Sequence, residues 1–163
     1  MKVNVKKLHP DAKIPFKKHD SDFCYDVVAT SCEEVTRNVY RYGLGIAFQI
    51  ERGIVPLRRV TDDLWESLDL ARNSISLSID FRPRSSVWRT GMVLSNCIGT
   101  IDEDYRGEVC AVFYHVMTDL PKYEVGDRIG QIKIGYTSPI EFVEIKELTD
   151  TERGAGGFGS TGK

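Results

Sequence analysis

Period-two alternation of apolar and polar residues is the feature that most constrains the fold of this chain. In residues 75–81, Ile, Leu, Ile and Phe alternate with Ser, Ser and Asp, so that one face of the segment is apolar and the other polar. Similar short segments recur along the sequence, at residues 3–5, 25–28, 39–50, 109–116, 128–134 and 140–145. Turn residues separate these segments, for example Val-Gly-Asp at 125–127. Many short strands spaced in this way predict an all-β domain, either a sandwich or a barrel.

One segment follows helical rather than strand periodicity. Thr61 can cap a helix N-terminus, two aspartates follow in the first turn, and apolar residues including Trp65 then recur at helical spacing up to Asn73. We therefore predict one short helix within residues 55–73. A length of 163 residues suits a single domain. The prediction is a β-domain over residues 1–150 and a separate tail over residues 151–163.

The C-terminal tail has a composition that a packed element does not tolerate. Five glycines lie between Arg153 and Lys163, and the only large apolar side chain among them is that of Phe158. Glycine N–H groups can turn together towards an anion, and the Arg153 guanidinium can bind phosphate oxygens in a forked geometry. The candidate ligand-binding residues of the tail are Arg153, Gly157, Phe158, Gly159, Ser160 and Thr161. A flexible tail that binds nothing is the alternative.

Composition narrows the possible classes of function. A formal net charge of −2 argues against a dedicated nucleic-acid-binding protein, which needs a basic surface. No apolar run approaches the roughly 18 residues of a membrane span, and the first residues contain no apolar signal segment. The four cysteines and three histidines show no metal-binding spacing. We therefore expect a cytoplasmic protein with reduced thiols, and neither a nucleic acid nor a membrane as partner.

Two further segments carry residues suited to chemistry. Residues 102–108, Asp-Glu-Asp-Tyr-Arg-Gly-Glu, have the composition of a β-hairpin turn. Such a turn would hold an aspartate and a tyrosine rigidly enough to serve as a general base and a sugar platform. Residues 82–86, Arg-Pro-Arg-Ser-Ser, place two cations and two hydroxyls together, an arrangement suited to oxyanions. The alternatives are a solvated hairpin and a basic surface turn.

Together these segments resemble the five ordered motifs of the trimeric dUTPase family. The corresponding residues are 22–27, 83–86, 96–107, 126–131 and 153–162. Residues 55–73 look like an insertion relative to most members. The first motif departs from the family pattern, because Phe23-Cys24 stands where members usually have Ala-Gly. The resemblance implies a jelly-roll-like β-barrel and a homotrimer with active sites shared between subunits. It also implies Mg²⁺-assisted hydrolysis of dUTP to dUMP and pyrophosphate, which limits uracil in DNA and supplies dUMP for dTMP synthesis.

The resemblance also assigns catalytic roles. Asp102 corresponds to the carboxylate that orients and deprotonates the water attacking the α-phosphorus, and Ser85 and Gln131 correspond to residues that hold the water and the phosphate chain. Tyr105 corresponds to the ring beneath the deoxyribose, where it leaves no room for a 2′-hydroxyl. Asp26 is the candidate for holding Mg²⁺ through a water molecule.

The remaining residues carried over by resemblance bind the substrate. The residues expected to read the uracil edge are Asn96, Gly99, Thr100 and Ile101. Arg84 and Ser86 are expected to hold phosphates. In the tail, Arg153 is expected to bind the γ-phosphate and Phe158 to cover the uracil, while Gly157, Gly159, Ser160 and Thr161 surround the nucleotide.

Two other functions fit the same resemblance. The related dCTP deaminase family shares the fold and an Arg-Ser-Ser-x-x-Arg stretch, which this chain matches at Arg84–Arg89. Deamination requires a glutamate that moves protons, and hairpin register places Val112 at that position, where no proton can be exchanged. A trimeric binding or regulatory protein is the other alternative, although Asp102, Gln131 and Arg153 are all present.

Overall fold

The structure is a computed structural model that describes residues 2–51, 76–137 and 140–156. The ten strands of these residues are β1 (Lys2–Lys7), β2 (Tyr25–Val28), β3 (Ser31–Thr36), β4 (Val39–Gly43), β5 (Ile46–Glu51), β6 (Ser76–Pro83), β7 (Met92–Leu94), β8 (Gly99–Ile101), β9 (Cys110–His115) and β10 (Arg128–Thr137). A short 3-10 helix covers Val87–Thr90. The helix predicted within residues 55–73 lies outside the described residues.

The strands form three antiparallel sheets. Two sheets have four strands, in the orders β2-β10-β6-β8 and β3-β4-β9-β7, and β1 pairs with β5 in a third. Apart from β3 and β4, which are joined directly, neighbours in each four-stranded sheet are not consecutive in sequence, as in folds where the chain crosses repeatedly between two sheets. The prediction of a jelly-roll-like all-β fold is confirmed.

The core lies between the two four-stranded sheets. In β6 the alternate residues Leu77, Ile79 and Phe81 are buried, as the period-two pattern predicts. Across the core, the rings of Phe81 and Phe113 meet edge to face with centroids 6.2 Å apart. Because β6 and β9 belong to different sheets, this contact joins the two layers.

The run at residues 39–50 consists of two strands rather than one. The chain turns at Leu44 and Gly45, where Gly45 adopts a φ of +64°. A Cβ at this position would lie 2.7 Å from the Cβ of His9, so both the conformation and the space favour glycine. The apolar pattern alone does not reveal this turn, because the residues on both sides of it are buried.

The strand predicted at residues 140–145 is absent, and this prediction is wrong. The segment has no ladder partner among the described strands, and a strand needs a neighbour to satisfy its backbone N–H and C=O groups. Its apolar side chains are correspondingly exposed, with Phe142 at 93%.

All four cysteines are free thiols. In the described part of the chain, no helix has the length and apolar character required to cross a membrane.

Candidate active site

A cavity of about 340 Å³ opens between the two four-stranded sheets. Phe81 of β6 contributes one wall, and Cys110 and Ala111 of β9 contribute the other. The cavity brings together six of the predicted site residues, namely Asn96, Gly99, Thr100, Ile101, Asp102 and Tyr105. Its size suits a small molecule with a ring, and its lining mixes apolar side chains with a few polar groups, as in ligand sites generally.

The floor of this cavity is formed where β8 pairs with β6. Gly99 lies opposite Phe81 and is buried. A Cβ at Gly99 would lie 3.4 Å from the Asn96 side-chain amide nitrogen and 3.6 Å from Phe81 Cβ. The Asn96 amide therefore lies over the β8 backbone, where donors and acceptors of both could face the edge of a flat ligand.

Residues 102–108 form a turn at the cavity mouth that fixes Tyr105. The Tyr105 N–H donates to the Asp102 carbonyl at 3.2 Å, and the Tyr105 hydroxyl donates to the Glu108 carbonyl at 3.0 Å. A Cβ on Gly107 would lie 2.6 Å from Tyr105 Cζ, so this ring position requires glycine at 107. Asp102 is exposed at the start of the turn, with its carboxylate available to solvent or a ligand.

The turn is anchored to the loop between β4 and β5. Glu108 Oε1 accepts a hydrogen bond of 2.8 Å from the Gly45 N–H, and the Leu44 N–H donates to the Val109 carbonyl at 3.0 Å. Glu108, Arg41 and Cys110 line the cavity but were not predicted from the sequence. Glu108 directly follows the Asp-x-Asp-Tyr-x-Gly segment, which is the one sequence signal that could have identified it.

Cys110 lies in the cavity wall as an exposed free thiol. Burial raises the pKa of this thiol, and the nearby Glu108 carboxylate raises it further. A raised pKa lowers the thiolate fraction at neutral pH, and the thiolate is the nucleophilic form of cysteine.

The prediction of a β-hairpin at residues 102–108 is wrong in one respect. The segment is a turn, but the strands it joins do not pair with each other. β8 pairs with β6, whereas β9 pairs with β4 and β7. Residues 102–108 therefore link the two sheets, which places Asp102 and Tyr105 at the mouth of the space between the layers.

A second group of predicted residues surrounds Asp26. Its Oδ2 accepts a hydrogen bond of 2.9 Å from Arg128 Nη1, and its Oδ1 accepts one of 3.2 Å from Gln131 Nε2. Arg84 Nε lies 3.5 Å from the same Oδ1. Asp26 is only 6% exposed and lies in β2, which excludes a solvated loop aspartate. Its carboxylate fixes the positions of two guanidinium groups and of the Gln131 amide.

The two serines that follow Arg84 lie in the turn between β6 and the 3-10 helix. Ser85 is exposed, and Ser86 is half-buried and lines a second cavity together with Arg84. The turn is closed by a hydrogen bond of 3.0 Å from the Val87 N–H to the Arg84 carbonyl. Arg84, Ser86 and Gln131 therefore belong to the Asp26 side of the molecule.

The two groups lie on opposite faces of one sheet. Gln131 of β10 is directly opposite Asp26 on β2 and Arg82 on β6, so these side chains share a face. Phe81, which lines the first cavity, precedes Arg82 and points to the other face. Within one chain, the residues expected to hold the base and those expected to hold the phosphates are thus separated by the sheet.

The described part of the tail contacts its own backbone. Arg153 Nε donates to the Gly156 carbonyl at 3.0 Å, and the Gly156 N–H donates to the Arg153 carbonyl at 3.1 Å. Gly154 has a φ of +49° and lies in open surroundings. In residues 140–156, Arg153 is exposed and is not brought to either group of site residues. Gly157, Phe158, Gly159, Ser160 and Thr161 lie outside the described residues.

Comparison with known proteins identifies the class. The dUTPase family model matches residues 74–162, more than half of the chain. A deoxyuridine 5′-triphosphate nucleotidohydrolase of Helicobacter pylori strain P12 is 34% identical, over 99% of this chain and 97% of the relative. The chain therefore belongs to the dUTPase family.

Solved dUTPase structures have a fold similar to that of this chain. Staphylococcus bacteriophage 80alpha dUTPase with dUpNHpp matches with a TM-score of 0.73 at 21% identity, covering 99% of each chain. A mutant dUTPase from phage phi11 of S. aureus, described with a structural Mg(II) ion, matches with a TM-score of 0.57 at 17% identity. The match to the phi11 structure covers 93% of this chain and 99% of the phi11 chain. At these identities the likeness concerns the fold alone.

Proposed function

We propose that this dUTPase hydrolyses dUTP to dUMP and pyrophosphate by attack of a water, oriented by Asp102, on the α-phosphorus. The observation that carries the proposal is the 340 Å³ cavity. In it, Asp102 and Tyr105 stand at the mouth of a space whose floor is Gly99 and Asn96. Membership of the dUTPase family indicates the reaction. We assign the cavity to the uracil and the deoxyribose of dUTP.

Uracil occupies the inner part of this cavity in the proposal. Its edge would exchange hydrogen bonds with the Asn96 amide and with the backbone of Gly99, Thr100 and Ile101. The β9 wall at Cys110 would leave no room for the methyl group of thymine. The Tyr105 ring, held by its hydroxyl and by the absence of a side chain at Gly107, would lie against the deoxyribose and exclude a ribose by steric clash.

Asp102 acts as the general base in this mechanism. An ionised carboxylate is a weak base at neutral pH, so most of the acceleration must come from positioning the water and from charge neutralisation around the phosphates. Gln131 and Ser85 would hold that water and the α- and β-phosphate oxygens. Arg84 and Ser86 would bind the phosphate chain, and the Asp26 carboxylate keeps Arg84 and Gln131 in position for that role.

A divalent cation fits the Asp26 group as an outer-shell partner. A carboxylate can accept about four hydrogen bonds, and three donors surround Asp26, which leaves capacity for one metal-bound water. When bound, Mg²⁺ neutralises charge on the phosphate oxygens. No group of three or more His, Cys, Asp or Glu side chains suited to direct metal coordination occurs in residues 2–51, 76–137 and 140–156.

The working unit in this proposal is a homotrimer. The base cavity and the Asp26 group lie on opposite faces of one sheet, so a second copy can bring its Asp26 group to the cavity of the first. Exposed apolar side chains in residues 140–148 supply surface for association, since such a run is rare on a monomer. These are Ile140, Phe142, Val143, Ile145 and Leu148.

The tail would close this shared site. Arg153 would bind the γ-phosphate, Phe158 would cover the uracil, and the backbone of Gly157 and Gly159 would surround the phosphates with Ser160 and Thr161. We place the enzyme in the cytoplasm, which its reduced thiols favour.

Pyrophosphate release from dUTP, dCTP, dTTP, dATP, dGTP and UTP tests the proposal. dUTP should be the preferred substrate, with UTP rejected at Tyr105 and dTTP rejected at the β9 wall. Equal specificity constants for dUTP and dTTP would contradict the uracil assignment of the cavity. Ammonia release from dCTP would instead support the deaminase.

A further inference from the structure

The Glu108 side chain lies against the backbone where β4 passes into the loop before β5. Its Oε1 accepts a hydrogen bond of 2.8 Å from the N–H of Gly45, which is a buried residue. A Cβ at Gly43 would lie 3.1 Å from Glu108 Cδ, and closer still to Oε1. The carboxylate therefore fills the space that a side chain at residue 43 would need, so this contact requires glycine there.

A single peptide group connects this contact to the Tyr105 ring. The carbonyl of Glu108 accepts a hydrogen bond of 3.0 Å from the Tyr105 hydroxyl. The N–H of the same peptide group belongs to Val109 and donates to the Ile46 carbonyl at 2.9 Å. Because a peptide group is planar and rigid, displacement of Glu108 would also displace the acceptor of the Tyr105 hydroxyl.

The contacts of Arg41 argue against charge as the role of Glu108. Arg41 lies at the same cavity but is paired with Glu33 of β3. The hydrogen bond with Glu33 is the main cause that raises the pKa of Arg41, and the charge of Glu108 contributes less. Arg41 is thus neutralised mainly by another carboxylate, which leaves the hydrogen bond from Gly45 as the contact that defines the position of the Glu108 carboxylate.

We infer that Glu108 is a positioning residue, which sets selectivity between deoxyribonucleotides and ribonucleotides by holding the Tyr105 ring in place. The inference rests on the proposed function, in which that ring excludes a 2′-hydroxyl. Steric exclusion of one hydroxyl group requires a ring that does not move aside. The contact of Glu108 with the β4–β5 loop supplies this constraint, because the Tyr105 side chain is 46% exposed and is less restrained by packing than a buried ring.

Two substitutions separate the reach of the Glu108 side chain from its charge. Glu108→Asp keeps the charge but is shorter by a methylene group, so the carboxylate no longer reaches the Gly45 N–H. Glu108→Gln keeps the reach and an acceptor oxygen but loses the charge. The measurement is the ratio of kcat/KM for dUTP to kcat/KM for UTP, with kcat and KM also determined separately.

The two variants should behave differently. Glu108→Asp should lower the dUTP-to-UTP ratio about tenfold, because a displaced Tyr105 ring admits the ribose. Glu108→Gln should stay within about threefold of the parent ratio, since an amide oxygen accepts the same hydrogen bond from the Gly45 N–H.

Glu34→Asp is the matched control. Glu34 Oε1 also accepts a hydrogen bond from a backbone N–H, that of Asn38, at 2.9 Å in the turn between β3 and β4. No residue of that turn is assigned to the nucleotide. Glu34→Asp therefore shortens an equivalent side chain in the same sheet, and its dUTP-to-UTP ratio should match that of the parent whatever its effect on the melting temperature.

Gly43→Ala tests the same contact from the opposite side. Its Cβ would displace the Glu108 carboxylate and would also lie 2.5 Å from Ser31 Oγ, so some loss of stability is expected. Selectivity should fall as in Glu108→Asp, although Gly43 does not line the cavity. When Gly43→Ala and Glu108→Asp are combined, the two losses of selectivity should not add, because both substitutions break one contact.

A parental ratio in Glu108→Asp would overturn the inference, and so would a fall confined to Glu108→Gln, because charge would then be the cause. An equal fall in Glu34→Asp, or additive losses in the double variant, would overturn it as well. A parent that prefers dUTP, with the preference kept in Glu108→Asp, removes this inference alone. A parent that hydrolyses dUTP and UTP equally well contradicts the assignment of Tyr105 in the proposed function, and the inference falls with it.

Discussion

Two glycine-containing segments of this protein carry residues expected to touch the nucleotide, and they are held in opposite ways. The turn at residues 102–108 is tied to the β4–β5 loop through Glu108, and its Tyr105 ring is fixed by its own hydroxyl. The segment at 151–156 shows hydrogen bonds within itself, as from Arg153 Nε to the Gly156 carbonyl. The first segment is preorganised by contacts with the rest of the fold, whereas we expect the second to be positioned by a ligand or another subunit.

The largest expected effect comes from removing the base in the preorganised turn. Asp102→Asn should lower kcat by about two to four orders of magnitude, since it removes the proton acceptor for the water. Binding of a non-hydrolysable dUTP analogue and the melting temperature should stay close to those of the parent. Steady-state kinetics give kcat, titration calorimetry gives the affinity for the analogue, and scanning calorimetry gives the melting temperature. A kcat within a few-fold of the parent would assign the water to another carboxylate, with Asp104 the nearest candidate.

Deleting residues from Arg153 onward tests the second segment. Turnover should fall about a hundredfold, because the triphosphate loses contacts that hold it in line for attack. Thermal stability should hardly change, since the described residues of this segment are almost all exposed. Scanning calorimetry measures the thermal stability of the truncated protein, and a pyrophosphate-release assay measures its turnover. Near-parental turnover in the truncated protein would show that the tail takes no part in the reaction.

Subunit exchange between the Asp102→Asn variant and the variant truncated at Arg153 tests whether one active site takes its turn and its tail from different chains. Random assortment of a 1:1 mixture should restore activity at about a quarter of all sites, which is about one site in three within each mixed trimer, because only those sites combine an intact Asp102 with an intact tail. Exchange is achieved by mild denaturation of the mixture and dilution, with each variant treated alone as the control. No recovery, or an active monomer by light scattering, would exclude the shared site.

A glycine-to-alanine substitution in each segment should give a smaller effect, on stability, that differs between the two segments. Gly107→Ala forces a Cβ against the Tyr105 ring and should destabilise the fold by about 1–3 kcal/mol. It should also raise KM for dUTP and reduce discrimination against UTP. Gly154→Ala is the comparison variant, because its Cβ would meet only the Thr151 carbonyl oxygen, at 4.0 Å, and the positive φ of Gly154 is then its main cost. Its loss of stability should be the smaller of the two, about 1 kcal/mol. If both variants melt alike, the turn is less rigid than its contacts indicate.

Much of the fold follows from local patterns. The alternation in residues 75–81 predicts β6, and the run at 25–28 coincides with β2. The composition of residues 102–108 predicts a turn carrying Asp102 and Tyr105, because Asp and Gly favour turns whatever surrounds them. The same reasoning failed at 140–145, where the apolar pattern is present but no described strand pairs with it.

The sequence by itself determined the strand pattern, the acidic turn, the basic Arg-Pro-Arg-Ser-Ser segment and the glycine-rich tail, because each depends on residues close together in the chain. Only the tertiary structure decided that 102–108 links two sheets and that Glu108 anchors it to Gly45, 63 residues away. It also decided that Asp26 is buried under Arg84, Arg128 and Gln131, contacts that span up to 105 residues. The pairing of distant strands sets such contacts, and a local pattern specifies which face of a strand is buried but not which strand lies beside it.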